Sequence, residues 1–212
     1  MFNIKKYREI KDFLQKSNKN AKIIAISKNH PLESVEEAVK HGVYIFGENR
    51  VNEAISKFVG LKEKNQNIEL HLTGPLQSNK VKHAIRIFDV FHTLDREKIA
   101  REFAKYPDII KNKKIFVQVN TGEEDTKSGI YIKELKDFLT FCKNEINLTI
   151  SGLMCIPPID QNPHDHFKTL KKLAIDNNLS EISIGMSNDY EAALDFNPTY
   201  IRLGTILFGK RQ

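Results

Sequence analysis

The chain has 212 residues, of which 40% are hydrophobic and 28% charged, and this balance is ordinary for a soluble globular protein. No apolar run approaches the ~20 residues needed to cross a bilayer, and charges interrupt the N-terminal segment, so we expect neither membrane span nor secretory signal, and a cytoplasmic location. The net charge is +6, but the basic residues are scattered without a nucleic-acid motif, so nucleic acid is not an expected partner.

Short β-rich segments alternate with helical patterns along the whole chain. An extra helix, roughly Ile4–Leu14, is predicted before the first strand. Between the strands, apolar residues recur at the spacing of an amphipathic helix, as in Val51, Ala54, Ile55 and Phe58. The eight predicted strands are Lys22–Ser27, Tyr44–Phe46, Glu69–Leu72, Val90–Thr93, Lys114–Val119, Leu148–Leu153, Ile182–Ile184 and Tyr200–Leu203.

This alternation indicates an α/β fold with parallel strands joined by right-handed crossovers. Eight strand–helix units fit a closed (β/α)8 TIM barrel, which we predict with the extra N-terminal helix. A doubly wound open sheet is the alternative. No repeat or linker divides residues 1–212, so a single domain is expected.

Polar side chains follow three of the predicted strands at the point where each strand ends. Lys28 follows the first strand, Ser187 follows the seventh, and Gly204-Thr205 follow the eighth. In a TIM barrel the C-terminal strand ends carry the functional site, and phosphate often binds after strands seven and eight. Apolar surroundings favour the neutral amine that attack on an aldehyde requires. The pattern therefore suggests a pocket for a phosphorylated aldehyde, and pyridoxal phosphate held as a Schiff base fits it.

Each of these residues also has a plainer structural interpretation. Lys28 is alternatively a solvated lysine at a loop start, and Ser187 an N-cap of the helical run that follows it. Gly204-Thr205 is alternatively a strand-end turn. Arg202, within the last strand, needs a partner such as a pyridine nitrogen or a carboxylate, or else forms a salt bridge at the rim. Asn49 either caps the next helix or hydrogen-bonds a ring substituent.

Histidines and cysteines carry weaker signals. His71 lies within the third strand and is expected to be a hydrogen-bonded core histidine. His164 and His166 look like a metal pair, but no third ligand is evident, so no metal is expected. Cys142 and Cys155 are too few for a disulfide framework or a zinc site and are expected to be reduced thiols.

In this order the fragments resemble the pyridoxal phosphate homeostasis protein family, whose members are alanine-racemase-like barrels that bind the cofactor in one domain. The resemblance spans residues 25–209 and rests on Ala25-Ile26-Ser27-Lys28, Phe46-Gly47-Glu48-Asn49, His71-Leu72-Thr73-Gly74-Pro75-Leu76-Gln77-Ser78-Asn79-Lys80, Gly185-Met186-Ser187-Asn188-Asp189-Tyr190 and Arg202-Leu203-Gly204-Thr205. The cofactor-binding residues that it implies are Lys28 for the imine, Asn49 beside the ring, Ser187, Gly204 and Thr205 for the phosphate, and Arg202 for the pyridine nitrogen.

The resemblance implies a protein that stores, buffers or delivers pyridoxal phosphate rather than an enzyme, with pyridoxal-phosphate-dependent apo-enzymes as candidate recipients. The alternative is an amino-acid racemase on the same barrel. Racemisation needs acid and base groups on both faces of the cofactor, and related racemases take one from an additional domain. We expect that domain to be absent, because the sequence ends seven residues after Thr205.

A third possible function is that of a Schiff-base aldolase. It would use Lys28 on a sugar phosphate, which would leave Asn49 and Arg202 without a role.

Two further expectations concern other lysines and assembly. Lys80 and Lys127 are candidates for a secondary cofactor site. No long exposed apolar stripe demands a partner subunit, so a monomer is expected.

Overall fold

The computed structural model describes residues 2–209. The strands are β1 Lys22–Ile26, β2 Ile45–Glu48, β3 Glu69–Leu72, β4 Val90–Leu94, β5 Lys114–Asn120, β6 Ile130–Tyr131, β7 Gly152–Met154, β8 Glu181–Ser183 and β9 Tyr200–Leu203. The α-helices are α1 Ile4–Lys16, α2 Leu32–Lys40, α3 Val51–Lys64, α4 Val81–Ile87, α5 Glu97–Ala104, α6 Pro107–Ile110, α7 Leu135–Thr140, α8 Pro163–Asp176, α9 Tyr190–Ala193 and α10 Thr205–Phe208. Short 3-10 turns lie at Ser78–Lys80, Ile132–Glu134 and Leu194–Phe196, and a π-helical turn lies at Phe141–Glu145.

Eight strands of the described chain close into a parallel barrel in the order β1-β2-β3-β4-β5-β7-β8-β9, with β9 pairing back to β1. The pairing of β4 with β5 joins the two halves. The short strand β6 pairs with β5 outside the ring. The predicted TIM barrel with an extra N-terminal helix is therefore confirmed, and the open sheet is wrong because both of its edges would have to stay unpaired.

The sixth predicted strand differs most from the structure. The sequence predicts Leu148–Leu153, whereas β7 covers only Gly152–Met154. Instead of joining the sheet, Leu148 donates its N–H to the carbonyl of Cys142 in the preceding π-helical turn, at 2.7 Å. An apolar run of this length is compatible with either a strand or a buried connection, and only the tertiary contact distinguishes them.

Alternating side chains separate an outer and an inner apolar layer. On β1, Ile23 and Ala25 pack toward the surrounding helices, whereas Ile24 and Ile26 face the inside of the barrel. Lys28 lies two residues beyond Ile26, in the turn at the mouth of the barrel. The inner layer is completed by Val90, Phe116, Met154 and Tyr200.

Two histidines are buried side by side in the barrel interior. Nδ1 of His71 lies 2.8 Å from Nε2 of His92, and Nε2 of His71 lies 2.7 Å from Oε1 of Glu69. The His92 ring stacks on Phe116 with 4.9 Å between centroids. Burial lowers the pKa of both imidazoles, and that of His92 well below its usual value. The prediction of a hydrogen-bonded core histidine at His71 is confirmed.

None of the helices between residues 2 and 209 is long and apolar enough to cross a membrane.

Candidate functional site

A cavity of about 510 Å³ lies at the C-terminal ends of the barrel strands. Its lining contains all six residues that the sequence singles out: Lys28, Asn49, Ser187, Arg202, Gly204 and Thr205. The parallel registers explain this, because Ala25 on β1 pairs with Phe46 on one side and Leu203 on the other. The segments that follow β1, β2 and β9 therefore leave the sheet next to one another.

Lys28 is half-buried in the turn between β1 and α2 and borders the cavity. Ser27 still donates its N–H to the carbonyl of Gly47, which keeps the start of the turn attached to β2. Asn29 then adopts φ 60°, a left-handed conformation that asparagine tolerates better than most residues. The chain thus turns away immediately after Lys28. Lys28 therefore stands at the start of a loop, and its side chain is partly exposed where it borders the cavity.

Ser187 lies beside the segment that follows β9. Its Oγ accepts the N–H of Gly204 at 3.2 Å and that of Ile206 at 3.4 Å. The hydroxyl therefore accepts two backbone amides from the segment that follows the neighbouring strand β9. Thr205, between these two amides, adds a second hydroxyl to the same wall.

The alternative interpretation of Ser187 as an N-cap of its own helix is wrong. The predicted helical run after Ser187 begins only at Tyr190, and α9 is four residues long. Asp189 precedes that helix, and its Oδ1 accepts the N–H of Met186 at 2.5 Å. Gly185 makes the turn into this segment at φ 87°, where a side chain would be strained.

Arg202 projects from β9 into the upper barrel and is only 5% exposed. Its Nη1 donates to the carbonyl and to Oγ of Ser183, both at 2.8 Å, and its Nη2 donates to the carbonyl of Cys155 at 2.9 Å. Burial lowers the pKa of this guanidinium. Among the described residues no carboxylate pairs with it, so the rim salt bridge is wrong. Three bonds leave two of the five N–H groups for another acceptor.

Asn49 is positioned by the segment that follows β3. Its Oδ1 accepts the hydroxyl of Thr73 at 3.0 Å. Gly74 packs so closely that a Cβ there would lie 2.5 Å from the carbonyl oxygen of Asn49. The capping interpretation of Asn49 is wrong, because α3 begins at Val51 with Arg50 at its N-cap position and without a side-chain cap.

The cavity has further walls that carry no distinctive sequence motif. Thr73 follows β3, and Pro157, Pro158 and Ile159 follow β7. Their position after the C-terminal ends of strands was the only available signal. His30, Gln161, Met186, Asn188 and Asp189 also line it.

Other residues that the sequence considers lie elsewhere. Lys80 and Lys127 are not among the residues that line the cavity, and Nζ of Lys127 pairs with Glu124 at 2.6 Å. Both ring nitrogens of His166 are within hydrogen-bond distance of side chains, those of Thr121 and Gln161. Over residues 2–209 no group of three metal-ligating side chains comes together.

Comparison with known proteins places the chain among characterised sequences. The family model of the alanine racemase N-terminal domain matches residues 5–212. The pyridoxal phosphate homeostasis protein of Pasteurella multocida is 37% identical over 202 residues, which cover 90% of this chain and 87% of the relative. The protein of the same name from Aquifex aeolicus is 36% identical and covers 91% of this chain and 88% of its own length.

Solved structures agree. PipY of Synechococcus elongatus PCC7942, with pyridoxal phosphate bound, is 29% identical with a TM-score of 0.86 and covers 97% of this chain and 99% of its own. The structure of PipY without pyridoxal phosphate is 31% identical with a TM-score of 0.88 over the same shares. The alanine racemase of Corynebacterium glutamicum shares the fold alone, with 16% identity and a TM-score of 0.66 over 88% of this chain and 55% of its own. The chain therefore belongs to the alanine racemase N-terminal domain family and, within it, to the pyridoxal phosphate homeostasis proteins.

Proposed function

We propose that this protein binds pyridoxal 5'-phosphate as a Schiff base on Lys28 and takes part in cofactor homeostasis by storing, buffering or delivering it. The observation that carries the proposal is the shared cavity. Lys28 borders the same space as the hydroxyls of Ser187 and Thr205 and the backbone of Gly204. An amine for an aldehyde and donors for a phosphate are thus available to one small molecule.

The donor set fits the cofactor. The cavity of about 510 Å³ is within the usual range for small-molecule sites, roughly 300–1,000 Å³. Phosphate oxygens only accept hydrogen bonds. The hydroxyl of Ser187 accepts the N–H of Gly204, which leaves its own proton to donate, and Thr205 adds a second hydroxyl to the lining. The guanidinium of Arg202 retains two N–H groups, which suit a pyridine nitrogen that accepts a hydrogen bond. Asn49 follows β2, on the other side of β1 from Arg202 and Gly204, and it borders the same cavity, where it would contact the ring.

Lys28 provides the covalent attachment in this proposal. When bound, pyridoxal phosphate supplies an aldehyde that condenses with a neutral amine, which releases one water and leaves a C=N bond. Ile26 and the prolines after β7 border the same space and give it apolar walls. Arg202 holds its proton too tightly to protonate the ring nitrogen, so it weakens the electron sink that amino-acid chemistry uses. Related racemases work with such an arginine, so this feature by itself does not separate a holder from a racemase.

The relatives support the same conclusion. Those from Pasteurella multocida and Aquifex aeolicus are named as pyridoxal phosphate homeostasis proteins, and PipY has been solved with pyridoxal phosphate bound. The alanine racemase of Corynebacterium glutamicum is only 16% identical, so its structure supports the shared fold alone. No observation on this chain therefore favours the racemase over the holder.

The test is covalent trapping. We expect native protein mixed with pyridoxal phosphate to develop the visible absorption of a Schiff base, and borohydride followed by peptide mapping to label Lys28. A Lys28→Ala variant should lose both signals. Lys80→Ala and Lys127→Ala are matched controls outside the cavity and should retain them. The same covalent label on the Lys28→Ala protein would contradict the proposal, and a label on Lys80 or Lys127 would identify a secondary site.

The competing activities have their own readouts. Incubation of the loaded protein with L-alanine, followed by chiral analysis, should give no turnover beyond that of free pyridoxal phosphate, whereas racemisation that depends on Lys28 would establish an enzyme. An aldolase would instead form an imine between Lys28 and a sugar phosphate, which borohydride would reduce to a stable adduct. Pyridoxal phosphate would then give no Schiff-base absorption.

We further propose a single-domain, cytoplasmic monomer that passes its cofactor to pyridoxal-phosphate-dependent apo-enzymes. The large exposed apolar side chains of the described chain are spread over several elements, which supports a monomer: they are Phe13, Tyr44, Val59, Ile156, Ile159 and Ile175. Light scattering on purified protein measures the mass, and a dimer would contradict this part. Reactivation of an apo-enzyme by the loaded protein, compared with free cofactor at equal concentration, tests delivery.

A further inference from the structure

Side chains of α3 hold the two peptide groups that flank Lys28. Nζ of Lys57 donates to the carbonyl of Ser27 at 2.8 Å. On the other side, Asn29 donates its N–H to Oε1 of Glu53 at 2.6 Å. The carbonyl before Lys28 and the amide after it are therefore both bonded to one helix.

A buried ionic network supports this arrangement. Nζ of Lys57 lies 2.9 Å from Oε1 of Glu48 and 2.7 Å from Oε1 of Glu53. The hydroxyl of Ser27 donates to the same Glu48 oxygen at 2.7 Å. Lys57 is 9% exposed and Glu48 fully buried, so each needs the other's charge. Burial acts to raise the pKa of Glu53, but the bonds from Lys57 and the Asn29 N–H outweigh it, and the pKa is lowered.

The network lies outside the cavity. Ser27 and Glu48 each follow an inward-facing residue, Ile26 and Gly47, and are directed toward α3. Of the residues that line the cavity, none is Glu48, Glu53 or Lys57. The bonds of Lys57 and Glu53 reach the cavity through the backbone of the turn that carries Lys28.

We infer that Lys57 and Glu53 are positioning residues for Lys28, and that they control the rate of covalent attachment without contributing to non-covalent binding. The lysine side chain rotates about four bonds, so its amine already samples many positions. A fixed Cα limits these positions and keeps the amine near the aldehyde that it would attack. A displacement of about 1 Å can cost about 100-fold in a reaction that depends on close approach. This inference rests on the function proposed above.

The variants separate the two bonds. Lys57→Met removes the bond to Ser27, and Glu53→Leu removes the bond from Asn29. Glu53→Gln keeps an oxygen acceptor for the Asn29 N–H and serves as the conservative rescue. Lys62→Met is the matched control, because Nζ of Lys62 also joins α3 to a backbone carbonyl, that of Ile87, and to a carboxylate, but at the opposite end of the barrel.

Two probes distinguish positioning from general damage. The rate of Schiff-base formation with pyridoxal phosphate measures the covalent step, and the affinity for pyridoxine 5'-phosphate, which has no aldehyde, measures the pocket. We expect Lys57→Met and Glu53→Leu to slow the covalent step by about 10-fold or more while the affinity for pyridoxine 5'-phosphate stays within about 2-fold. Glu53→Gln and Lys62→Met should behave like the native protein in both assays.

The outcomes keep the inference separate from the proposed function. If native protein forms no Schiff base at Lys28, the function itself fails. If native protein forms it and both Lys57→Met and Glu53→Leu react as fast as Lys62→Met, only the positioning role is overturned. The positioning role is also overturned if the variants lower the rate of Schiff-base formation and the affinity for pyridoxine 5'-phosphate to the same degree. The network would then determine the shape of the whole pocket. If Lys57→Met does not fold, the comparison of Glu53→Leu with Glu53→Gln, at a more exposed position, tests the inference by itself.

Discussion

Ser187 shows how a single hydroxyl organises one wall of the cavity. It does not cap the helix that follows it in the chain but accepts the N–H groups of Gly204 and Ile206, which follow the neighbouring strand β9. These two bonds fix the hydroxyl beside the start of α10 and leave its own proton to donate. This arrangement requires the seventh and eighth barrel strands to be neighbours, so it belongs to the closed barrel and not to the local sequence.

Combined Ser187→Ala and Thr205→Val substitution should weaken binding of pyridoxal phosphate. Each hydroxyl bonded to a charged group contributes about 1.5–3 kcal/mol, so we expect the loss of both to weaken binding by about 100-fold or more. Pyridoxal, which lacks the phosphate, is the control ligand and should bind both proteins equally. Equilibrium titration measures both affinities. An unchanged affinity for the phosphate form would place the phosphate elsewhere.

Both cysteines should be unreactive in the folded protein. Cys142 and Cys155 are free and buried, and burial raises the pKa of each thiol to about 12. Since the thiolate is the reactive form, we expect little labelling by an aromatic disulfide reagent at pH 8 and two reactive thiols in denaturant. Fast labelling of the native protein at either position would contradict the burial seen here.

At the scale of elements, the close approach of the segment after β3 to the segment after β2 sets the position of Asn49. A methyl group on Gly74 would lie 2.5 Å from the carbonyl oxygen of Asn49. Such contact forces a backbone shift in one segment or the other. The Thr73 hydroxyl, bonded to Asn49, would move with it.

Gly74→Ala should therefore destabilise the protein by about 1–3 kcal/mol, the usual cost of overpacking. Gly60→Ala is the matched control, because Gly60 lies within α3 and nothing approaches its missing Cβ within 4 Å. That change should stabilise the protein by about 0.5–1 kcal/mol, since alanine favours a helix over glycine. Urea unfolding measures both. Equal effects of the two substitutions would refute the close packing at Gly74.

At the scale of the whole molecule, the barrel interior depends on two neutral histidines. The pKa values of His71 and His92 are lowered by burial, so the folded protein binds fewer protons than the unfolded chain below about pH 6.5. Their contribution to stability is therefore present above that pH and is lost as the pH falls. Well below pH 6.5, each such histidine lowers the free energy of unfolding by about 1.4 kcal/mol for every unit by which the pH falls.

His92→Phe should reduce this pH dependence. Phenylalanine keeps a ring against Phe116 and Tyr200 but binds no proton. Between pH 6.5 and 5.5 we expect the variant to lose about 1 kcal/mol less stability than the native protein, although it is less stable at both, since His71 loses a partner. Urea unfolding at the two pH values gives the comparison, and identical slopes would show that His92 does not titrate on unfolding.

The sequence alone determined the strand–helix alternation, the number of barrel strands and the six residues now found around one cavity. These depend on local patterns, namely helical spacing, β-rich runs and the polar residues placed just after strands. The tertiary structure alone decided that β1 closes against β9 and that Leu148 joins a helical turn instead of a strand. It also decided that the Ser187 hydroxyl accepts N–H groups at the start of α10 and that α3 holds the turn around Lys28. Such features arise from register and packing between segments far apart in the chain, and no local periodicity encodes which distant partner a side chain will meet.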